Sequence, residues 1–137
     1  MSRPPYYGNP AGVTTDLAVV RAIYAAFERR DLERALAHFA DDCELHLEGT
    51  AALVGRAEPY RGISGVRQYF ADVGRVWDEL TVHADDFRAV PGSVIVMGYV
   101  EGRQGDRLVA RSTVWTWRLR GLRVVTLRVS DVGERRL

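Results

Sequence analysis

The side chains of this chain that are able to do chemistry are few and scattered. Cys43 stands three residues before His46, as a thiolate and its base would. On a regular strand an odd separation sends the two to opposite faces, so no dyad is expected and Cys43 is read as a small buried apolar residue. The three histidines, His38, His46 and His83, fall on separate predicted elements and no pair has metal-ligand spacing, so they are read as surface groups. Asp41-Asp42 and Asp85-Asp86 are adjacent carboxylates, which do not normally converge on one substrate; they read as solvated turn and edge charges. All nineteen basic residues are arginine, so a lysine Schiff base is excluded. What remains is Arg111, which alternation places on one strand face with Val109, Thr113, Trp115 and Trp117. A guanidinium there is costly to bury without a partner, and Asp131 on the last strand is the candidate. Tyr24 offers a hydroxyl able to exchange a proton, although a helical tyrosine on an apolar stripe is more often a core residue.

These groups are positioned by elements that the hydrophobic pattern delimits. Thr14-Thr15-Asp16 offers capping side chains for a first helix whose Leu17, Val20, Tyr24 and Phe27 recur at helical spacing and which ends near Arg30. Asp31 caps a short second helix with Leu32, Ala35, Leu36 and Phe39 as its buried stripe, stopped by Asp41-Asp42. Cys43 to Glu48 alternates as a half-buried strand closed by Gly49, with Glu44 and Glu48 opposite Leu45 and Leu47. Residues 50–59 read as a loop, and Tyr60-Arg61-Gly62 leads into a third helix capped by Ser64, with Val66, Phe70, Val73 and Trp77 inward. Four long strands complete the chain: Leu80 to Val90, Ser93 to Arg103, Arg107 to Leu119 and Leu122 to Asp131. Tight turns between them require antiparallel pairing, and helices confined to the first half predict an α+β domain.

Composition sets the outer bounds. A chain of 137 residues with 47% hydrophobic and 27% charged residues is long enough for one cored domain, predicted over residues 14–132 between tails at 1–13 and 133–137. No apolar run approaches a membrane span, and the Pro- and Gly-rich start lacks the apolar segment of a secretory signal. A formal charge of +1 with scattered arginines argues against nucleic acid. A single cysteine fits a reducing cytoplasm.

Several stretches resemble the SnoaL-like branch of the nuclear transport factor 2 superfamily, over about Asp16 to Asp131. They are Tyr24-Ala-Ala-Phe27 before Arg30-Asp31-Leu32, Phe39-Ala-Asp-Asp42, Pro59-Tyr-Arg-Gly62 with Gly65-Val-Arg67, and Val114-Trp115 ahead of Gly121. The resemblance implies a cone of three helices on a curved, mostly antiparallel sheet, no cofactor, and a homodimer formed through the outer sheet face, with Ser112, Thr116 and Arg118 as candidates there. It does not fix an activity, because the superfamily holds isomerases, polyketide cyclases, hydrolases and non-catalytic binding domains. Matching the ketosteroid isomerase pattern places Leu47 at the base and Trp115 at the acidic donor, with Tyr24 within a residue of the tyrosine donor. Two of three parts are absent, so steroid-type isomerisation is not the leading expectation.

The same resemblance makes the Arg111 face concave. Arg111, Asp131 and Tyr24 are then the candidate catalytic groups. Phe27, Leu47, Tyr60, Phe70, Trp77, Met97, Trp115, Trp117, Leu127 and Val129 are the candidate walls of a pocket for a small lipophilic or aromatic molecule. Whether Asp131 faces that pocket depends on the last turn. A three-residue loop, Leu119-Arg120-Gly121, pairs Arg118 with Leu122 and Arg111 with Val129, leaving Asp131 as the diagonal neighbour of Arg111; a two-residue turn at Arg120-Gly121 flips Asp131 outward. The first is preferred because it also turns Leu127 and Val129 inward. An isomerase, cyclase or hydrolase and a non-catalytic binding or dimerisation domain both fit.

Overall fold

The computed structural model describes residues 10–47 and 54–135, with side chains from Thr15 onward. Helix α1 spans Pro10–Glu28, α2 Leu32–Leu36 and α3 Gly62–Val76; the strands are β1 Phe39–Leu47, β2 Tyr60–Arg61, β3 Glu79–Val90, β4 Ser93–Gln104, β5 Arg107–Arg120 and β6 Arg123–Glu134. The strands form one six-stranded sheet in the order β2-β1-β6-β5-β4-β3, with β1 and β6 parallel and the other neighbours antiparallel. The predicted α+β cone is therefore the fold. None of the described helices is long and apolar enough to cross a membrane.

The helices differ from expectation at their ends. Proline is favoured in the first turn of a helix, and α1 begins at Pro10, so Thr14-Thr15-Asp16 lie within it rather than ahead of it. Asp16 instead reaches across to the sheet, where its buried carboxylate accepts the Gly92 N–H at 3.1 Å. Asp31 caps α2 as expected, accepting the Arg34 N–H at 3.1 Å, but that helix stops before Phe39, and Asp41-Asp42 stand exposed within β1. Ser64 does not cap α3; Arg61 is its N-cap, in an extended conformation. Glu48, Gly49 and residues 50–53 of the expected loop lie outside the described residues, as do residues 1–9 and 136–137 of the expected tails.

The last hairpin follows neither expected register. Arg120 pairs with Arg123 across a two-residue turn, Gly121-Leu122, with both residues left-handed at φ 57° and 67°. That geometry matches the twist of the hairpin strands. One extra residue, Val125, then lets Trp117 face Leu127, Trp115 face Val129 and Thr113 face Asp131. Because side chains alternate, the bulge restores the parity that the preferred loop supplied, and Leu127 and Val129 do turn inward. A second extra residue at Val132 puts Arg111 opposite Glu134 rather than Val129.

A third irregularity shapes β3. Ala84 pairs with Gly98 and Asp86 with Met97, so Asp85 is the extra residue. Leu80, Val82 and Ala84 before it share a face with Phe87 and Ala89 after it. Gly98 permits this, because a Cβ there would run into the carbonyl oxygen of His83. The core lies on the concave side of the sheet, where Val20 and Ile23 of α1 and Val66 of α3 pack with Leu45, Val94, Val96, Trp117 and Val124.

Candidate functional site

A cavity of about 470 Å³ lies between α1, α3 and the concave face. From α1, Arg21, Tyr24, Ala25 and Glu28 recur three and four residues apart and so line one side, with Phe27 beside them. Tyr69, Phe70 and Val73 come from α3, Leu80, Val82, Ala84 and Phe87 from β3, and Trp115, Trp117, Leu127 and Val129 from the β5–β6 hairpin. Tyr24 is central. It meets Phe87, Trp115 and Trp117 edge-on with ring centroids at 5.6, 5.8 and 5.6 Å, and Phe27 at 6.3 Å.

Trp117 is fully buried, and its ring N–H donates to the Tyr24 hydroxyl at 3.1 Å. An indole nitrogen only donates, so Tyr24 Oη is the acceptor and its own hydrogen is available elsewhere. Among the described residues Trp117 is its sole hydrogen-bond partner. Burial pushes the Tyr24 hydroxyl well above its ordinary pKa; the bond from Trp117 pulls the other way and Tyr69 adds to the rise. The group is thus a neutral donor throughout the physiological range, strengthened by the bond it accepts.

Charge is confined to the rim. Arg21, Glu28 and Arg30 are the only charged residues on the described lining, and all three are exposed. No imidazole and no interior carboxylate appears among the described lining residues.

Of the residues expected from sequence, Tyr24, Phe27, Phe70, Trp115, Trp117, Leu127 and Val129 line this chamber. Arg111 and Asp131 meet each other, Nε to Oδ2 at 2.8 Å, with side chains 40% and 33% exposed. They stand on the face of Trp115 and Val129 but beyond them, outside the lining. Burial alone would raise the Asp131 carboxyl, yet the Arg111 guanidinium and the Gly133 N–H hold it below its ordinary value. Leu47 is core, further along β1 than the lining residue Leu45. Tyr60 is buried between β2 and α3, donating to Asp72 at 2.6 Å. Asp72 also accepts from Gln68 and Arg75, and these donors, Tyr60 first, hold its carboxyl low against the effect of burial. Trp77 lies across Gly102, where a Cβ would strike its ring, and Met97 belongs to the outer face because its neighbours Val94 and Val96 face inward. Cys43 is buried and its thiol is pushed up by burial, while His46 bonds Glu44 at 3.1 Å.

Sequence reasoning missed Arg21, Glu28, Arg30, Tyr69 and Phe87. The helical spacing from Arg21 through Tyr24 to Glu28 signalled the first two, since the stripe that carries Tyr24 also carries its neighbours. Phe87 was hidden by the Asp85 bulge.

A family model described as the SnoaL-like domain matches residues 20–128. Solved structures with the same fold include a nuclear transport factor 2-like protein of unknown function from Burkholderia pseudomallei, at 24% identity and TM-score 0.79, covering 85% of this chain and 90% of that one. TerC co-crystallised with polyporic acid superposes with TM-score 0.78 at 20% identity, covering 85% and 91%. A putative SnoaL-like polyketide cyclase from Jannaschia sp. CCS1 does so with TM-score 0.75 at 12% identity, covering 96% and 91%. No protein of curated function matches the chain in sequence.

Proposed function

The chain belongs to the SnoaL-like domain family, and from that premise we propose that its chamber receives a flat lipophilic or aromatic molecule whose oxygen accepts a hydrogen bond from Tyr24. One observation carries this reading. The Tyr24 ring meets Phe27, Phe87, Trp115 and Trp117 edge-on, and its hydroxyl already accepts from Trp117, leaving the O–H to act as a donor. The ring walls supply apolar burial, and the Tyr24 hydroxyl, set among four of those rings, supplies orientation. TerC's polyporic acid and the cyclase name of the Jannaschia protein are compatible with an aromatic or polyketide-like ligand.

In such a complex Tyr24 does two things to a bound carbonyl: it fixes the direction of the oxygen, and it stabilises negative charge developing there. This chemistry suits isomerisation or cyclisation through an enol. The described interior holds no side chain able to remove the carbon-bound proton, the single carboxylate on the lining being Glu28 at the rim. We therefore assign the chamber to binding and carbonyl polarisation, with turnover restricted to substrates acidic enough to yield a proton to water or to Glu28. A second copy of the chain belongs to the same proposal, seated on the outer sheet face where Ile95 is exposed on the same side as Met97. Sedimentation equilibrium reads it directly.

The test uses two flat molecules of one shape, fluorenone and fluorene, displacing the neutral fluorescent reporter N-phenyl-1-naphthylamine. Fluorenone is expected to bind more tightly, by the roughly 2- to 10-fold that one hydrogen bond supplies, and Tyr24→Phe to abolish that difference. Arg111→Ala, outside the lining, leaves both affinities unchanged. Equal binding of the two molecules to the unmodified protein sinks the assignment of Tyr24.

A further inference from the structure

The rim of the chamber is not electrically neutral. It carries two guanidiniums, Arg21 and Arg30, against the one carboxylate of Glu28. Many arginines of this chain are committed to acids: Arg67 to Glu33 at 2.6 Å, Arg103 to Glu79 at 3.3 Å, Arg120 to Asp42 at 3.1 Å. Arg21 and Arg30 have no carboxylate within 4.0 Å among the described residues. Arg21 instead lies over the Phe87 ring, its Cζ 4.3 Å from the centroid, which fixes the cation beside an aromatic wall of the chamber.

Arg30 is placed there at a cost. It follows the end of α1 with φ 60°, its N–H bonded to Phe27 O at 3.0 Å while the Asp31 N–H returns to Ala26 O at 2.9 Å. A glycine normally occupies that left-handed position, because a Cβ there is disfavoured. A helix C-terminus welcomes a cation, but Arg29 already meets that preference, and only Arg30 of the two lines the chamber. Strain held at a residue that borders a cavity points towards a role in what the cavity takes.

We infer that the ligand is an anion: an aromatic body bearing a carboxylate or an ionised acidic enol, the charge lying between Arg21 and Arg30 and the body reaching in towards Tyr24. Arg21 and Arg30 are then specificity residues, favouring the acid over its neutral counterpart. This rests on the chamber being a binding site, as proposed above, and adds the charge of the ligand.

The experiment displaces the same neutral reporter, N-phenyl-1-naphthylamine, with 2-naphthoate and with 2-naphthamide, which share a shape and differ in charge. Naphthoate is expected to displace it at lower concentration, by an amount that shrinks as salt is raised. Arg21→Gln and Arg30→Gln should each weaken naphthoate by up to about fivefold, the range of an exposed ion pair, and leave naphthamide unchanged. Arg30→Gly keeps the left-handed backbone and removes the charge, so it reads the same loss without a folding penalty. If acid and amide displace equally, or the arginine variants weaken both alike, the inference is overturned while the chamber stands. If the reporter does not bind, or the chamber-filling Ala25→Trp leaves its binding intact, the chamber reading falls and this inference with it.

Discussion

Replacing Tyr24 by phenylalanine removes one oxygen and almost nothing else. The four edge-on ring contacts at 5.6 to 6.3 Å stay, because the ring stays. What is lost is the acceptor for Trp117 Nε1, and Trp117 is fully buried, so its N–H is left without a protein partner among the described residues. An orphaned buried donor costs about 1–3 kcal/mol, more than the roughly 1 kcal/mol net worth of the bond itself. For a domain of this size a kcal/mol corresponds to about 3–5 °C in Tm, so Tyr24→Phe should melt about 3–15 °C below the unmodified protein. Trp117→Phe alone also loses ring volume and falls further. The decisive quantity is the coupling in the double-mutant cycle: once Trp117 is phenylalanine, removing the Tyr24 oxygen should cost less, by about 1 kcal/mol or more. Urea denaturation of the four proteins measures it. Zero coupling, or a Tyr24→Phe variant with unchanged Tm, refutes the arrangement from which the donor role of Tyr24 is argued.

Gly98→Ala should destabilise by more than about 3 kcal/mol, since the added Cβ meets the His83 carbonyl in a fixed bulge, whereas Gly74→Ala in α3 meets nothing within 4 Å and should gain about 0.5–1 kcal/mol in urea melts. Leu122→Gly should raise Tm by a few degrees: φ 67° is costly for leucine by about 1–2 kcal/mol, glycine returns part of that as unfolded-state entropy, and the leucine is half exposed. Asp72 has a folded pKa below its ordinary 3.8, so its contribution is complete above that value and lost as pH falls through the lower folded value. Melting curves across this acid range should therefore fall more steeply for the unmodified chain than for Asp72→Asn, and parallel curves would contradict the three-donor arrangement.

The element order was legible because period 3.6 and period 2 are written in long uninterrupted stretches, and Tyr24 and Phe27 of α1 with Trp115 and Trp117 of β5 followed from the same stripes. Bulges were not legible. Val125, Val132 and Asp85 each reverse which side chains face inward, and nothing local marks them beyond an apolar pair at Val124-Val125 or a change of phase between Ala84 and Phe87. The last hairpin illustrates both halves. The inward placement of Leu127 and Val129 was anticipated, but through a loop the chain does not use; the Arg111–Asp131 pair was anticipated, but its position past the end of the chamber depends on a register that only the sheet decides. Trp77 shows a different limit, since a helix-end tryptophan on an apolar stripe carries no mark of whether it fills a cavity or covers a glycine such as Gly102.

The bond from Gly92 to Asp16 gains meaning when α1 is viewed as a shaft with a rotational setting. A slip of one residue along a helix turns it by about 100° and moves it by about 1.5 Å, enough to carry Tyr24 out of reach of Trp117 and Arg21 off the ring of Phe87. Asp16 is the key in that shaft, fixing phase and depth from a point on the sheet more than a turn away from the first lining residue. The residues by which α1 and the turn after it line the chamber lie between Arg21 and Arg30, a stretch short enough to be exchanged between relatives as one piece. With the key left in place, such an exchange would transplant ligand preference onto an unaltered sheet.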